Sequence, residues 1–268
     1  MNKIIILIIL FCSSIFVMGQ GRIQRPQSHS KKQMGQGQIQ KPQSYSKKQN
    51  VETISEPDGY INGHGYVDLG LPSGVKWATY NVGATSPEEY GNYYAWGETD
   101  TKPTYTYVNS RHYPHTLVDD LKAGKGSYDT LKAKWSSKLK SDGVIDSRGN
   151  LTASYDVASA NWGASWRIPT KEEFEELHSN CSFQWISFKG KEGVKVIGPN
   201  GKSIFLVTAG FMGGDSNFTK RSFAIFWIST IYRNTNWKAS HFNVSGKISL
   251  SITDLGPNHG LSVRAVSE

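Results

Sequence analysis

Residues 193–210 read GVKVIGPNGKSIFLVTAG. Val194 and Val196 on one side, and Ile204 and Leu206 on the other, flank a Gly-Pro-Asn-Gly turn. Apolar residues at every second position around such a turn predict a β-hairpin. The same texture extends in both directions. GYVDLGLPSGVKWATYNVG (65–83) places short apolar runs around a Pro-Ser-Gly turn and reads as a second hairpin. FAIFWISTIY (223–232), WKASHFNV (237–244), KISLSI (247–252) and LSVRAV (261–266) read as further short strands. Helical signal is confined to YDVASANW (155–162) and TKEEFEELHSN (170–180). Residues 100–150 form a Lys-, Ser-, Gly- and Tyr-rich excursion with weak periodicity, and LKAKWSSKLK (131–140) is its helical candidate. Many short strands and two main helices predict an α+β class, an irregular β-rich domain over 60–268.

Upstream the composition changes twice. Residues 4–18, IIILIILFCSSIFVM, follow Lys3 and precede Gly19. A basic start, a short apolar run and a small residue at its end predict a secretory signal peptide over 1–19, cleaved before Gln20. The run falls short of the ~20 apolar residues of a membrane span, so contact with a membrane is expected only before cleavage. Cys12 lacks a lipoprotein setting. The mature chain then keeps one cysteine, Cys181, and no internal disulfide, so packing alone must hold it together. Cys181 itself reads as a small buried hydrophobe.

Residues 19–34, GQGRIQRPQSHSKKQM, are followed by 35–50, GQGQIQKPQSYSKKQN, with twelve of sixteen positions identical. Each copy has one isoleucine, too little apolar surface to offset the entropy of ordering. Residues 20–59 are therefore expected to be a disordered basic linker. Seven of the basic residues fall within 20–50, and 51–268 carries 22 basic against 22 acidic residues. The net charge of +8 thus belongs to the tail, not to a nucleic-acid-binding face. The tail is a candidate contact for an anionic envelope polymer, and no specific nucleic acid is expected as a partner.

The most acidic stretch is WGASWRIPTKEEFEEL (162–177). Thr170 followed by Glu173 is a capping box, with the threonine oxygen on the Glu173 amide and the glutamate on the Thr170 amide. Pro169 holds the preceding residue extended. Phe174, Leu177 and Cys181 then form an inward stripe, which leaves Glu172, Glu175 and Glu176 facing water. Arg167 is expected to pack or pair inside, with Glu173 as its partner. Trp162 and Trp166 are candidate core anchors.

The run YDVASANWGASWRIPTKEEFEEL resembles the signature of the Fibrobacter succinogenes major paralogous domain, found in secreted proteins of Bacteroidota. Four further pieces match in order: YVDLGLPSGVKWATYNVGA (66–84), YGNYYAWGET (90–99), GPNGKSIFLVTAG (198–210) and GLSVRAV (260–266). That family is similar to the formylglycine-generating-enzyme group. The resemblance implies a C-type-lectin-like fold with loop-rich surfaces and no assigned activity. Two departures stand out. Phe226-Trp227-Ile228-Ser229-Thr230 replaces a tyrosine-tryptophan-serine-serine-threonine run, and Tyr80 stands where relatives often carry a cysteine. If that cysteine pairs with the one at 181 in relatives, the resemblance implies a lost bridge here.

Chemistry is sparse. Formylglycine generation needs more thiol than one cysteine supplies. The close pair His112 and His115 brackets Pro114, which does not fit a helical metal site. Glu56-Pro57-Asp58 resembles a lectin calcium run but lies at the domain boundary, and no Trp-Asn-Asp partner follows. No phosphate loop and no Gly-x-Ser-x-Gly elbow occur. No metal, cofactor or catalytic residue is therefore assigned. Loops 211–222 and 231–240 join expected strands, and Tyr232, Arg233, Asn234, Asn236 and Trp237 are the candidate ligand-binding residues. The expected function is a secreted or surface-exposed, non-catalytic module that recognises an extracellular glycan or protein. The alternatives are an envelope structural protein held by its tail and an unrecognised glycan hydrolase, whose paired carboxylates have no sequence spacing to betray them.

Overall fold

The computed structural model of the 268-residue chain describes residues 53–213, 222–231, 238–245 and 250–268. The expected signal peptide and nearly all of the basic linker lie outside the described residues. Among the described residues no helix is long and apolar enough to cross a membrane.

The body is α+β and opens with β1 (Gly59–Ile61), β2 (His64–Asp68) and β3 (Lys76–Ala78). Helices α1 (His115–Lys122) and α2 (Tyr128–Ser141) follow, then a 3-10 turn, α3 (Val157–Trp162) and α4 (Lys171–Asn180). Next come β4 (Ser182–Phe188), β5 (Lys191–Ile197), β6 (Ser203–Val207) and β7 (Phe211–Met212). The chain finishes through β8 (Phe223–Ile231), β9 (Ala239–Ser245), β10 (Leu250–Leu255), β11 (Gly260–Leu261) and β12 (Val266–Ser267). The strands form small antiparallel sheets ordered β1-β2-β3-β12, β4-β5-β6, β10-β9-β8 and β11-β7.

The hairpin that opened the reading is β5–β6, with Val194 opposite Leu206 and Val196 opposite Ile204. Its turn is closed by the Gly198 N–H donating to Lys202 O at 2.8 Å. Gly198 presses on the first sheet so closely that a Cβ there would sit 2.1 Å from Leu69 O. The hairpin around 65–83 is β2–β3. Two tighter hairpins flank these. Asn62 and Gly63 (φ +49° and +82°) join β1 to β2, and Lys189 and Gly190 (φ +47° and +78°) join β4 to β5. Positive φ at both central residues is the two-residue turn that matches the right-handed twist of paired strands.

Strand β8 organises the core. Ala224, Phe226 and Ile228 enter one apolar cluster with Val67, Trp77, Phe174 and Phe242, while Ile225, Trp227 and Ile231 enter the other with Trp96, Trp135, Trp162 and Trp166. Alternation with both faces covered buries β8 on both sides, although it ends the β10-β9-β8 sheet, which is why its sequence is nearly continuous in apolar residues. Arg264 is fully buried beside it and donates to Asn81 Oδ1, Ala78 O and Phe205 O at 3.0, 3.0 and 2.9 Å. It ties the last segment to β6 and to the chain around β3. Burial without a carboxylate partner brings its guanidinium down to about 9.

Two expectations change. Four α-helices, not two, occur among the described residues. The excursion 100–150 holds α1 and α2, and α2 sends Trp135 and Leu139 into the core. The ordered body also reaches upstream of residue 60, because Ser55 N–H donates to Ser203 O at 3.3 Å and Ser203 N–H donates to Ser55 Oγ at 2.8 Å.

Candidate functional site

The acidic stretch 170–176 is a helix start. Thr170 Oγ1 accepts from the Glu173 N–H at 3.3 Å, and Glu173 Oε2 accepts from the Thr170 N–H at 2.8 Å. Arg167 donates to both Glu173 oxygens at 2.7 and 2.6 Å. These donors hold the Glu173 carboxyl below its usual range although burial opposes them. Glu176 is engaged by Ser73, whose N–H and hydroxyl donate at 2.8 and 2.6 Å, and Glu175 pairs with Lys171 at 2.9 Å. Phe174 is buried between Trp77 and Phe242, at centroid distances of 5.2 and 4.7 Å. Cys181 ends the stripe, and its thiol is pushed up to about 11 by burial, which keeps it protonated and unreactive at neutral pH.

The carboxyl group that departs most from ordinary behaviour is one the sequence did not single out. Asp156 caps α3, taking N–H bonds from Ala158, Ser159 and Ile168 at 2.9, 3.1 and 2.7 Å. It is 2 % exposed, and burial pushes its carboxyl up to about 6 against those three donors.

Trp162 and Trp166 pack edge to face at 5.3 Å, and the His64 ring stacks on Trp162 at 4.0 Å. Tyr80 meets the edge of that stack, 5.8 Å from Trp162. Tyr80 and Cys181 pack against different clusters, so the geometry lends nothing to the bridge that the resemblance implies.

Tyr80 also lines a groove of about 940 Å³. Three stretches distant in sequence build it: residues 53–60, the loop 79–87, and the β4–β5 turn 187–190. Tyr60 projects from β1 and is 69 % exposed. Phe188 lines the groove from the end of β4, packed on Phe205 at 5.3 Å, and Pro57 and Pro87 add apolar surface. Hydroxyls alternate with these rings at Thr53, Ser86 and Ser187. The charged lining groups are Glu56 and Lys189, and Lys189 is paired with Glu88 at 3.1 Å. Burial, with a smaller contribution from Tyr60, holds the Tyr80 phenol above its usual value. No histidine, cysteine or aspartate lines the groove among the described residues. Such a surface can stack on flat apolar faces and exchange hydrogen bonds.

The sequence-based candidates Tyr232, Arg233, Asn234, Asn236 and Trp237 lie outside the described residues, so the structure neither gathers nor separates them. His112 is half-buried and engaged with Gly97 O at 3.0 Å, while His115 begins α1. No group of three metal-ligating side chains occurs among the described residues. The groove escaped the sequence reading because its walls come together only through tertiary pairing. The one local signal for it was Asn62-Gly63, which fixes the hairpin that carries Tyr60. No family model, no curated protein and no solved structure matches the chain.

Proposed function

We propose that this chain is a secreted or surface-exposed, non-catalytic binding module of the Fibrobacter succinogenes major paralogous type, with a C-type-lectin-like body on a cationic spacer. It recognises a glycan through the groove at Tyr60, Tyr80 and Phe188. The observation that carries this reading is a groove lined by the exposed Tyr60 ring, Tyr80 and Phe188 together with several hydroxyls. Aromatic faces supply stacking area at low entropic cost, and neighbouring hydroxyls match the donors and acceptors of a sugar. A cavity this size lies within the range of small-molecule sites of roughly 300–1,000 Å³. The joining of β12 to the β1–β3 sheet and the irregular small sheets support the fold assignment. The Cys181 thiol, raised by burial, and the engaged Glu173, Glu175 and Glu176 support recognition over catalysis.

The test is a screen of the full chain against immobilised glycans, repeated with Tyr60→Ala. Tyr60 is exposed, so its removal leaves the fold intact. Truncating a central aromatic anchor is expected to weaken capture at least about tenfold. Undiminished capture by the variant would remove the groove from the account.

A further inference from the structure

A second cavity, of about 650 Å³, opens where the start of α4 meets the loop 146–151, the end of β8 and Glu268. It shares no lining residue with the groove. Leu151 and Ile168 are its aliphatic members, and the rest of the wall is polar or charged.

Its charge is unbalanced. The carboxyl groups of Asp146, Asp156, Glu172, Glu173 and Glu268 line it against the guanidinium groups of Arg148 and Arg167. Arg167 is already held by Glu173 at 2.6 Å and by Glu268 at 3.4 Å, and Arg148 lies 3.7 Å from Asp146. Glu172, exposed on the rim, makes no hydrogen bond or ion pair with another described residue. Such a wall repels phosphate, sulfate and carboxylate and favours a cation.

An independent feature points to a ligand. Ser229 lines the cavity, is 3 % exposed, and its Oγ has no hydrogen-bond partner among the described residues. Its backbone is fixed on both sides, with its N–H donating to Pro169 O at 2.9 Å and its carbonyl accepting from Leu151 at 3.2 Å. Buried hydroxyls are rarely left unpaired, and those that are call for an explanation. Asp156 adds unused capacity. Two of its three N–H bonds go to Oδ1 and one to Oδ2, which leaves an acceptor position on a carboxylate that takes about four.

A primary ammonium group offers three donors and no acceptor, which answers both the excess negative charge and the open acceptor positions. A lysine side chain would also bring a methylene stem, and two aliphatic residues make no channel for it. A sugar ring brings the ammonium together with hydroxyls for Ser229 and the Asn150 amide, while Thr230 Oγ1 is already held between the Lys171 N–H at 3.0 Å and Asn150 Oδ1 at 2.6 Å. We propose that the cavity beside Ser229 and Glu172 binds an amino sugar with a free ammonium group.

Calorimetric titration of the full chain with a glucosamine tetrasaccharide, its N-acetylated counterpart and a lysine tetrapeptide tests this. The free-amine sugar is expected to bind, with the acetylated sugar and the peptide at least about tenfold weaker. Glu172→Gln, at an exposed position, is expected to cost about tenfold. Ser229→Ala deletes an unpaired hydroxyl, so it is expected to weaken binding while leaving the fold at least as stable. The titrations are repeated on the Tyr60→Ala chain, in which capture by the groove is weakened, so that the preference for the free-amine sugar and its loss in Glu172→Gln and Ser229→Ala are read from this cavity. Equal binding of the acetylated sugar or the peptide, intact affinity in both Glu172→Gln and Ser229→Ala, or no binding of the free-amine sugar would each overturn the assignment.

Discussion

At the scale of the residue, Glu173 accepts from the Thr170 N–H, completes the capping box and takes both arms of Arg167. Thr170→Ala removes one cap bond and is expected to cost about 1 kcal/mol. Glu173→Ala also strands a half-buried guanidinium, so its cost should be greater, on the order of 2–3 kcal/mol. Urea midpoints of the two variants check the order, and equal midpoints would mean that the Arg167 pair adds nothing. Both partnerships were legible in the sequence because they are local, spanning three and six positions. Asp156 was not legible. One of its donors is twelve residues away, and its displaced titration comes from burial, which no spacing records.

At the scale of the element, alternation decided what could be read. The β5–β6 and β2–β3 hairpins, β8 and α4 all announced themselves through period and punctuation. Strand β4 did not, since its residues SFQWISF begin directly at the end of α4 and mix polar with aromatic side chains. Helix α2 was only half visible because a chain of lysines and serines hides the single face on which Trp135 and Leu139 lie. Strand β8 carries the strongest expectation. Phe226 is fully buried in one cluster while its neighbour Trp227 fills the other. Phe226→Ala should therefore cost about 3–5 kcal/mol through lost transfer and a cavity at the centre of the fold. A loss below 1 kcal/mol in chemical denaturation would show that β8 is not the shared wall of both clusters.

For the whole molecule, two buried groups oppose each other as pH changes. Asp156 holds its proton up to about 6 in the folded chain, against 3.8 in an ordinary carboxyl group, so its contribution to stability falls as pH rises from about 4 to 6. His241 is driven down to about 4 by burial, so the unfolded chain gains a proton below 6.5 that the folded one refuses, and stability rises over nearly the same range. Each effect is worth roughly 3 kcal/mol. Burial also lowers His64, His112 and His259, which adds to the histidine side. The chain is therefore expected to lose stability on acidification from pH 6.5 to 4, and Asp156→Asn to steepen that loss. Urea unfolding at intervals of pH checks both slopes, and an unchanged slope in the variant would contradict the Asp156 assignment. The groove belongs to this scale as well. Its walls meet only after β1, the 79–87 loop and the β4–β5 turn are in place, so single-sequence periodicity could not reveal it.

On the proposed function the body recognises a glycan and returns it unchanged. Mass spectrometry of a captured glycan, recovered after long incubation with the full chain at neutral pH, checks this. The glycan is expected back at its original length. A shortened product whose formation stops on a single carboxylate substitution would contradict it.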